Sequence, residues 1–378
     1  MKKKLFFAAF ASILVGNVAH AQSSVTLYGL IDEGFNYTTN SGGHSGYQML
    51  SGDTAGSRWG LKGAEDLGGG LSAVFKLENG FNLNTGAFGE NGQEFGRQAY
   101  VGLASKTYGT LTFGRQYSPT IDLWSGFTAT GATIGDFAAH PFDNDNADYD
   151  YRINNSIKYI TPTYAGFTGE ALYGFSNQAG GFANNRVYSA AGSYAMGQFS
   201  AAVAYQRMDA GNTSTSGAVA GDGIFTAQAQ QDIDAGVKWT FGNKANIGLA
   251  YSHVTTNNPT ANAYIDVGNQ TWSSWKFDNV ELNAQYFFRS DLWLAGEYTF
   301  THATLKTPSG SSAPNWHQVA LMLNYDISKR TSVYLQGAWE HATGSTGTEF
   351  DNPNIVGASG VSSGPNQMVY RVAVMHSF

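Results

Sequence analysis

In the stretch SRWGLKG, Arg58 and Lys62 stand four residues apart, with Trp59 and Leu61 on alternate positions. LSAVFKLENG sets Lys76 and Glu78 against Phe75 and Leu77, and YRINNSIKY sets Arg152 and Lys158 against Ile153, Ile157 and Tyr159. Successive side chains of an extended chain point to opposite faces, so each stretch carries a charged face and an apolar one. Arg97 opens RQAYVGL, where both faces are mixed, and its direction stays open. Arg115 is in phase with Leu111 and Phe113, and needs a bulge or a rim position to leave the apolar face. Charges of this kind break no bonds. Lining a narrow aqueous passage, they select which ions enter, and a low-dielectric wall strengthens the field of each.

The opposite charge follows in the chain. Ser118 to Asp150 carries Asp122, Asp136, Asp143, Asp145, Asp148 and Asp150, with neither lysine nor arginine. It is long for a connection and falls between the strands holding Arg115 and Arg152. The expectation is a loop that folds inward and sets carboxylates, Asp122 and Asp136 first, across from the basic wall. A solvated external acidic loop is the plain alternative.

Other chemistries find little support. GVSSG, from Gly360 to Gly364, matches a nucleophile elbow in letters but lies in a Ser/Gly-rich loop. DNDNADYD resembles a calcium loop, yet Asp148 stands where the turn glycine belongs and Asn154 where the final glutamate belongs. The eight histidines form no H-x-x-x-H pair, and no glycine-rich phosphate loop is present. With no cysteine, thiol catalysis and thiolate metal sites are excluded. No catalytic residue, metal or cofactor is expected.

The elements that position these charges are strands with two unlike faces. Val319, Leu321, Leu323 and Tyr325 alternate with Gln318, Ala320, Met322 and Asn324. Val333, Leu335 and Trp339 alternate with Ser332, Tyr334, Gln336 and Glu340, and Ile233, Val237 and Trp239 with Asp232, Asp234 and Lys238. A soluble sandwich and a membrane barrel both show this pattern. Four features favour the barrel. Aromatics cluster near strand ends, at Tyr159, Tyr164 and Phe167, at Trp239 and Phe241, and at Tyr286, Phe287, Phe288 and Trp293. Seven short turns alternate with eight long connections, the first of these near Thr38–Thr54. They delimit an even set of sixteen strands, with both termini on the short-turn side. Finally, Lys2, Lys3 and Lys4, an apolar run from Leu5 to Val15 and Ala19-His20-Ala21 read as a signal peptide over residues 1–21, with one domain over 22–378.

Composition agrees. Charged residues are only 13%, with 47 Gly, 21 Tyr, 24 Phe and 8 Trp, well under the usual quarter of charge in soluble domains. Losing the leader takes the formal charge from −7 to −10, which argues against nucleic acid. The closing stretch YRVAVMHSF keeps Tyr370, Val372, Val374 and Phe378 on one face. It is expected to pair with Val25–Phe35, since an unpaired edge in lipid leaves backbone groups unsatisfied.

Several stretches resemble the general trimeric porins of Gram-negative outer membranes, a proteobacterial sixteen-stranded family. They are SSVTLYGLID, GSRWGLKGAEDLGGGLSAVFKLENGFN, FGRQAYVGL, YGTLTFGRQYSP, NNSIKYITPTYAGF and the terminal Phe378, spread over the chain and densest in its first half. The resemblance implies an all-β transmembrane antiparallel β-barrel with short periplasmic turns, long external loops and a third loop in the lumen. It implies a homotrimer in the outer membrane, among lipid and lipopolysaccharide, passing small hydrophilic solutes and ions by passive diffusion. Arg58, Arg97 and Arg152 match the family's basic ladder and Glu78 an acidic partner, while Phe378 matches a signal read by the outer-membrane assembly machinery. Arginines on the wall argue for anions, while the six loop aspartates and the net charge of −10 argue for cations; anions win if the arginines lie closest to the narrowest point. Two other readings are a solute-specific channel, to which Tyr334 and Tyr188 would contribute, and a barrel enzyme using His253 or His302.

Overall fold

The computed structural model describes residues 24–209, 217–219, 221 and 223–378; the leader expected over 1–21 lies outside them. The wall begins with Ser24–Ser41, followed by a second strand in two pieces, His44–Ser51 and Arg58–Gly68. It continues through Leu71–Gly80, Gln98–Ser105, Gly109–Gln116, Ile153–Ile160, Phe167–Gly174, Arg186–Met196 and Phe199–Asp209. Ala229–Phe241, Ala245–Asn257, Ser274–Arg289, Leu292–Thr307, Asn315–Asp326, Thr331–Thr343 and Asn366–Ser377 complete it. With the broken strand counted once, these are sixteen antiparallel strands. Ser24–Ser41 pairs with both pieces of the second strand and also with Asn366–Ser377, so the sheet closes on itself.

Burial decides between sandwich and barrel. Leu321 is 51% and Leu335 55% exposed, while Gln318, Gln336, Glu340, Asp232 and Asp234 are buried. A water-soluble domain does the reverse. Apolar side chains outside and polar ones inside fit a barrel whose exterior meets hydrocarbon. Among the terminal aromatics, Tyr159, Tyr164, Phe167, Trp239, Phe241, Tyr286 and Phe288 are exposed. Trp293 instead packs against an interior cluster containing Met322 and Tyr334, so not every aromatic there belongs to the outer girdle.

The first long connection is shorter than expected. Between Ser41 and His44 the chain turns on Gly42 and Gly43, with φ of +60° and +94°, a conformation open to glycine without a Cβ penalty. The hairpin therefore runs through most of Thr38–Thr54, and the irregular segment moves to 52–57. Asp32 organises that break: its Oδ2 accepts from the backbone N–H of Thr54 at 2.9 Å and of Ala55 at 3.2 Å. Arg115 also finds its bulge. The register shifts between Gly114 and Gln116, Gly114 has φ +139°, and Arg115 is buried with Nη1 donating to Asn154 Oδ1 at 2.6 Å.

Closure is completed at the seam. The Phe378 N–H donates to the Gly29 carbonyl at 2.9 Å, and the Gly29 N–H to the Phe378 carbonyl at 3.2 Å. The Phe378 ring lies where a Cβ on Gly29 would be. Gly29→Val must displace the ring, an overpacking cost of roughly 1–3 kcal/mol. A lower midpoint for loss of the compact, heat-modifiable band on denaturing gels is the expected outcome.

Candidate functional site

The connection between Gly109–Gln116 and Ile153–Ile160 coils through short helical pieces, Thr120–Trp124, Ser125–Phe127, Thr130–Ile134, Asp136–Ala138 and Pro141–Asp143. It is fastened to inward-facing side chains of the far wall. Gln318 Nε2 donates to the carbonyls of Phe137 at 2.9 Å and Ala139 at 3.0 Å. Asn283 donates to the Phe127 carbonyl at 2.8 Å, and the Ala129 N–H donates to Glu281 at 2.8 Å. His140, fully buried, stands between Asp145 at 2.6 Å and Glu281 at 3.1 Å. Burial favours a neutral imidazole, but these two carboxylates outweigh it and hold His140 well above its ordinary value, so the clasp is charged at neutral pH.

Beside this anchored loop, and partly lined by it, lies a cavity of about 740 Å³, within the size range of small-molecule sites. Arg58, Arg97 and Arg152 line it together with Asp53, Glu90, Asp136, Asp148 and Asp150. Tyr117 ties two of the arginines together. Its hydroxyl accepts from Arg97 Nη2 at 2.9 Å and from Arg152 Nη2 at 2.8 Å. Glu90 lies within 3.4 Å of Arg97 and 3.5 Å of Arg152. Two close approaches need glycine: a Cβ on Gly56 would fall 2.8 Å from Arg97 Nη1, and one on Gly80 would overlap the Glu90 carboxylate.

The residues expected to act together divide into three sets. Arg58, Arg97, Arg152 and Asp136 share the cavity. Lys62 and Lys76 do not line it; they lie over the Tyr28 ring, 5.1 and 5.6 Å from its centroid. Glu78 also stands back from the lining, accepting from Tyr28 at 2.7 Å and pairing with Lys76 at 3.1 Å and Arg97 at 3.3 Å. It orients Arg97 rather than facing the water. Lys158 and Asp122 pair with each other, and Lys158 also donates to the Tyr117 carbonyl at 3.1 Å. Tyr188 lies against Tyr205 and Arg186, away from the cavity lining. His253 pairs with Asp278 at 2.8 Å and His302 with Asn315 at 2.7 Å, and among the described residues no serine is bonded to either ring.

Four contributors escaped the sequence. Glu90 sits in the loop around NTGAFGENG, where no alternation reveals direction. Tyr117 follows a strand end directly. Arg371 and Asp53 are remote in sequence, yet buried Arg371 lies 3.1 Å from Asp32 and 4.0 Å from Asp53. The inward phase of Arg371 in YRVAVMHSF was the one available signal.

The acidic side is crowded. Burial, with Asp150 alongside, pushes Asp148 up to about 7. Burial also pushes Asp53 up to about 8; Asp32 and Asp148 add to this, and Arg371 opposes it. Asp136, buried beside Asp148 and Asp53, stands well above its ordinary value. Burial thus disfavours negative charge on Asp53, Asp136 and Asp148, while guanidinium charge does not titrate near neutral pH.

Strands apolar outside, a polar interior and a charged cavity beside an anchored loop define an outer-membrane channel barrel. The model of the Gram-negative porin family matches residues 8–345, and the chain belongs to that family. It is 31% identical to an outer membrane porin protein of Bordetella pertussis, over 90% of this chain and 94% of that one. It is 29% identical to outer membrane porin protein 32 of Delftia acidovorans, over 100% of both chains. The solved anion-selective porin from Comamonas acidovorans superposes with a TM-score of 0.72 at 25% identity, covering 94% of this chain and 100% of that one. Family and barrel together place the protein in the outer membrane.

Two outcomes follow from the charge arrangement. Glu90→Gln removes a negative charge beside Arg97 and Arg152. The chloride-over-potassium permeability ratio, read from the reversal potential across a KCl gradient, should rise roughly twofold to fivefold, since a unit charge about 4 Å away in water is worth ~1 kcal/mol. Raising the pH from about 6 to about 9 ionises Asp148 and then Asp53, whose shifted values lie within that window. Negative charge is added opposite Arg152 and Arg371, so the same ratio should fall steadily with rising pH.

Proposed function

We propose that the protein forms a water-filled channel for passive diffusion of small hydrophilic solutes and ions, with a preference for anions. The carrying observation is that Arg58, Arg97 and Arg152 line one cavity together, beside aspartates that burial and mutual repulsion shift upward. Three arginines keep full charge, while Asp53, Asp136 and Asp148 are shifted upward by burial and by one another. In this reading the segment from Tyr117 to Arg152 is a lumen loop that narrows the passage, and the wall arginines with the loop aspartates form the constriction. The anion-selective porin from Comamonas acidovorans, similar in fold and sequence, supports the same sign.

The family resemblance supports three further parts of the reading. Residues 1–21 are a cleaved export signal, Phe378 is the aromatic read during outer-membrane assembly, and the working unit is a homotrimer set among lipid and lipopolysaccharide. No bond-making step is assigned to any residue. Lys62, Lys76 and Lys158 act at a distance from the narrowest point, as a basic surround.

Single-channel recording of the purified protein in a planar bilayer tests the reading. Large conductance steps with a reversal potential of chloride sign are expected. Arg58→Gln should move that potential toward potassium, because Arg58 borders the cavity. Folded protein that passes no current overturns the channel, and a potassium-sign potential at neutral pH overturns the anion preference.

A further inference from the structure

We propose that the outer surface of the barrel binds a bisphosphorylated glycolipid of the outer leaflet, with one phosphate on Arg186 and Arg207 and the other on Lys276 and Lys306. The inference rests on the outer-membrane location and is independent of the ion preference of the channel.

Most lysines and arginines of the described wall strands point into the lumen or, like Arg289, stand at a short turn. Arg186, Arg207, Lys276 and Lys306 are the exceptions. They alternate with the buried neighbours Val187, Met208, Phe277 and Leu305, so they point outward. Each lies near a strand end that meets a long external connection. Nearer the middle of the wall the outward face is apolar: Val203, Ile233, Val237, Leu249, Val280 and Leu282 are exposed. Cations on a lipid-facing wall are tolerated at the interface and not at the midplane, so these four stand where hydrocarbon gives way to headgroups.

The backbone register fixes their arrangement. Arg186 stands opposite Asp209, and Arg207 opposite Tyr188. Arg207, Gln231, Thr255 and Lys276 stand opposite one another in turn, and Lys306 is opposite Ser274. The three strand spacings between Arg207 and Lys276 amount to about 14 Å. Two cation pairs are thus held apart by amide and hydroxyl side chains, as the phosphates of a bisphosphorylated disaccharide are held apart by its sugar hydroxyls and amides.

Neither pair is neutralised. Asp209 accepts from Nε of Arg186 at 2.8 Å and of Arg207 at 2.9 Å, one carboxylate between two guanidinium groups. The two arginines border a hollow of about 410 Å³ with Asn184, Gln228 and Asn257. Arg186 also lies over the rings of Phe182 and Tyr188, aromatics of the kind that settle at headgroup level. Lys276 and Lys306 are exposed and make no side-chain hydrogen bond or ion pair among the described residues. Outward-facing Asp278 does not answer Lys276; it accepts from Tyr251 at 2.7 Å and pairs with His253 at 2.8 Å. A guanidinium fork takes phosphate through paired N–H donors, and an ammonium takes it as a point charge. A phospholipid headgroup answers one pair only. A glycolipid with two phosphates answers both, and its acyl chains lie along the apolar wall beneath.

The test titrates the purified full-length protein, in detergent, with bisphosphorylated lipid A and with lipid A carrying one phosphate, and reads the bound fraction by native mass spectrometry. The bisphosphorylated form should bind at least about fivefold more tightly, since its second phosphate adds charge-assisted hydrogen bonds. Arg207→Gln combined with Lys276→Gln takes one cation from each pair, and neither side chain reaches the interior. This double variant should weaken bisphosphorylated lipid A by about tenfold and bring the two forms toward equal affinity. Lys329→Gln combined with Arg330→Gln removes the same charge at a short turn and should change neither. The heat-modifiable band on gels shows that each variant is folded. Equal affinity of the two lipid A forms for the unaltered protein, or equal losses in the two double variants, overturns the site. Displacement of the lipid by inorganic phosphate at comparable concentration assigns the cations to a free anion and also overturns it. Folded protein that binds the bisphosphorylated form but passes no current overturns the channel and leaves this site standing.

Discussion

A backbone that crosses hydrocarbon has no water to bond, so every wall N–H and C=O must be answered inside the sheet. The other features of this molecule depend on that constraint. An open sheet would leave two unpaired edges in lipid, and Ser24–Ser41 removes both by pairing with Arg58–Gly68 on one side and Asn366–Ser377 on the other. Closure in turn makes an interior, and strand alternation sends polar side chains into it. The charges inside are a consequence of the wall, and the site is built from them.

An interior holding many carboxylates must be neutralised or hydrated. Two solutions coexist here. Where the loop between Gln116 and Ile153 touches the far wall, pairing is close: His140 bridges Asp145 and Glu281, and Asn279 Nδ2 donates to Asn144 at 2.9 Å. Around the cavity, Arg58 stays without a partner among the described residues and the aspartates crowd one another. A tightly satisfied anchor thus holds a poorly satisfied rim in place.

The wall was legible in the sequence because a period of two is a local property, readable from five or six residues. The strands around Leu321, Leu335 and Ile233 needed only their own alternation. Arg115 shows the same logic at its edge: its phase was wrong for lipid, which required a bulge, and the bulge is there. The site was only partly legible. Arg58 and Arg152 announce themselves by phase, and the aspartates by their density in one loop. Glu90 and Tyr117 lie where the chain leaves the strand pattern, and nothing local aims them. Arg371 with Asp53 joins residues more than three hundred positions apart, a contact made by barrel closure alone. Phase and loop density group Lys158 and Asp122 with the cavity, because neither signal reports a height along the barrel.

The interior is not uniformly polar. On the other side, inward-facing Trp275, Phe277 and Trp316 are met by Phe142 from the acidic loop and by Phe225, Trp272 and Phe350 from later loops. Phe142 stacks edge-on against Trp316 with centroids 5.5 Å apart, and Phe350 against Trp275 at 5.1 Å. These rings form a dry core inside the barrel, held by the burial that stabilises water-soluble proteins. It fills the space between loops and wall, so hydrated space is left beside Arg58, Arg97 and Arg152. Charge lines the cavity because the apolar part of the interior is already filled by the protein's own side chains.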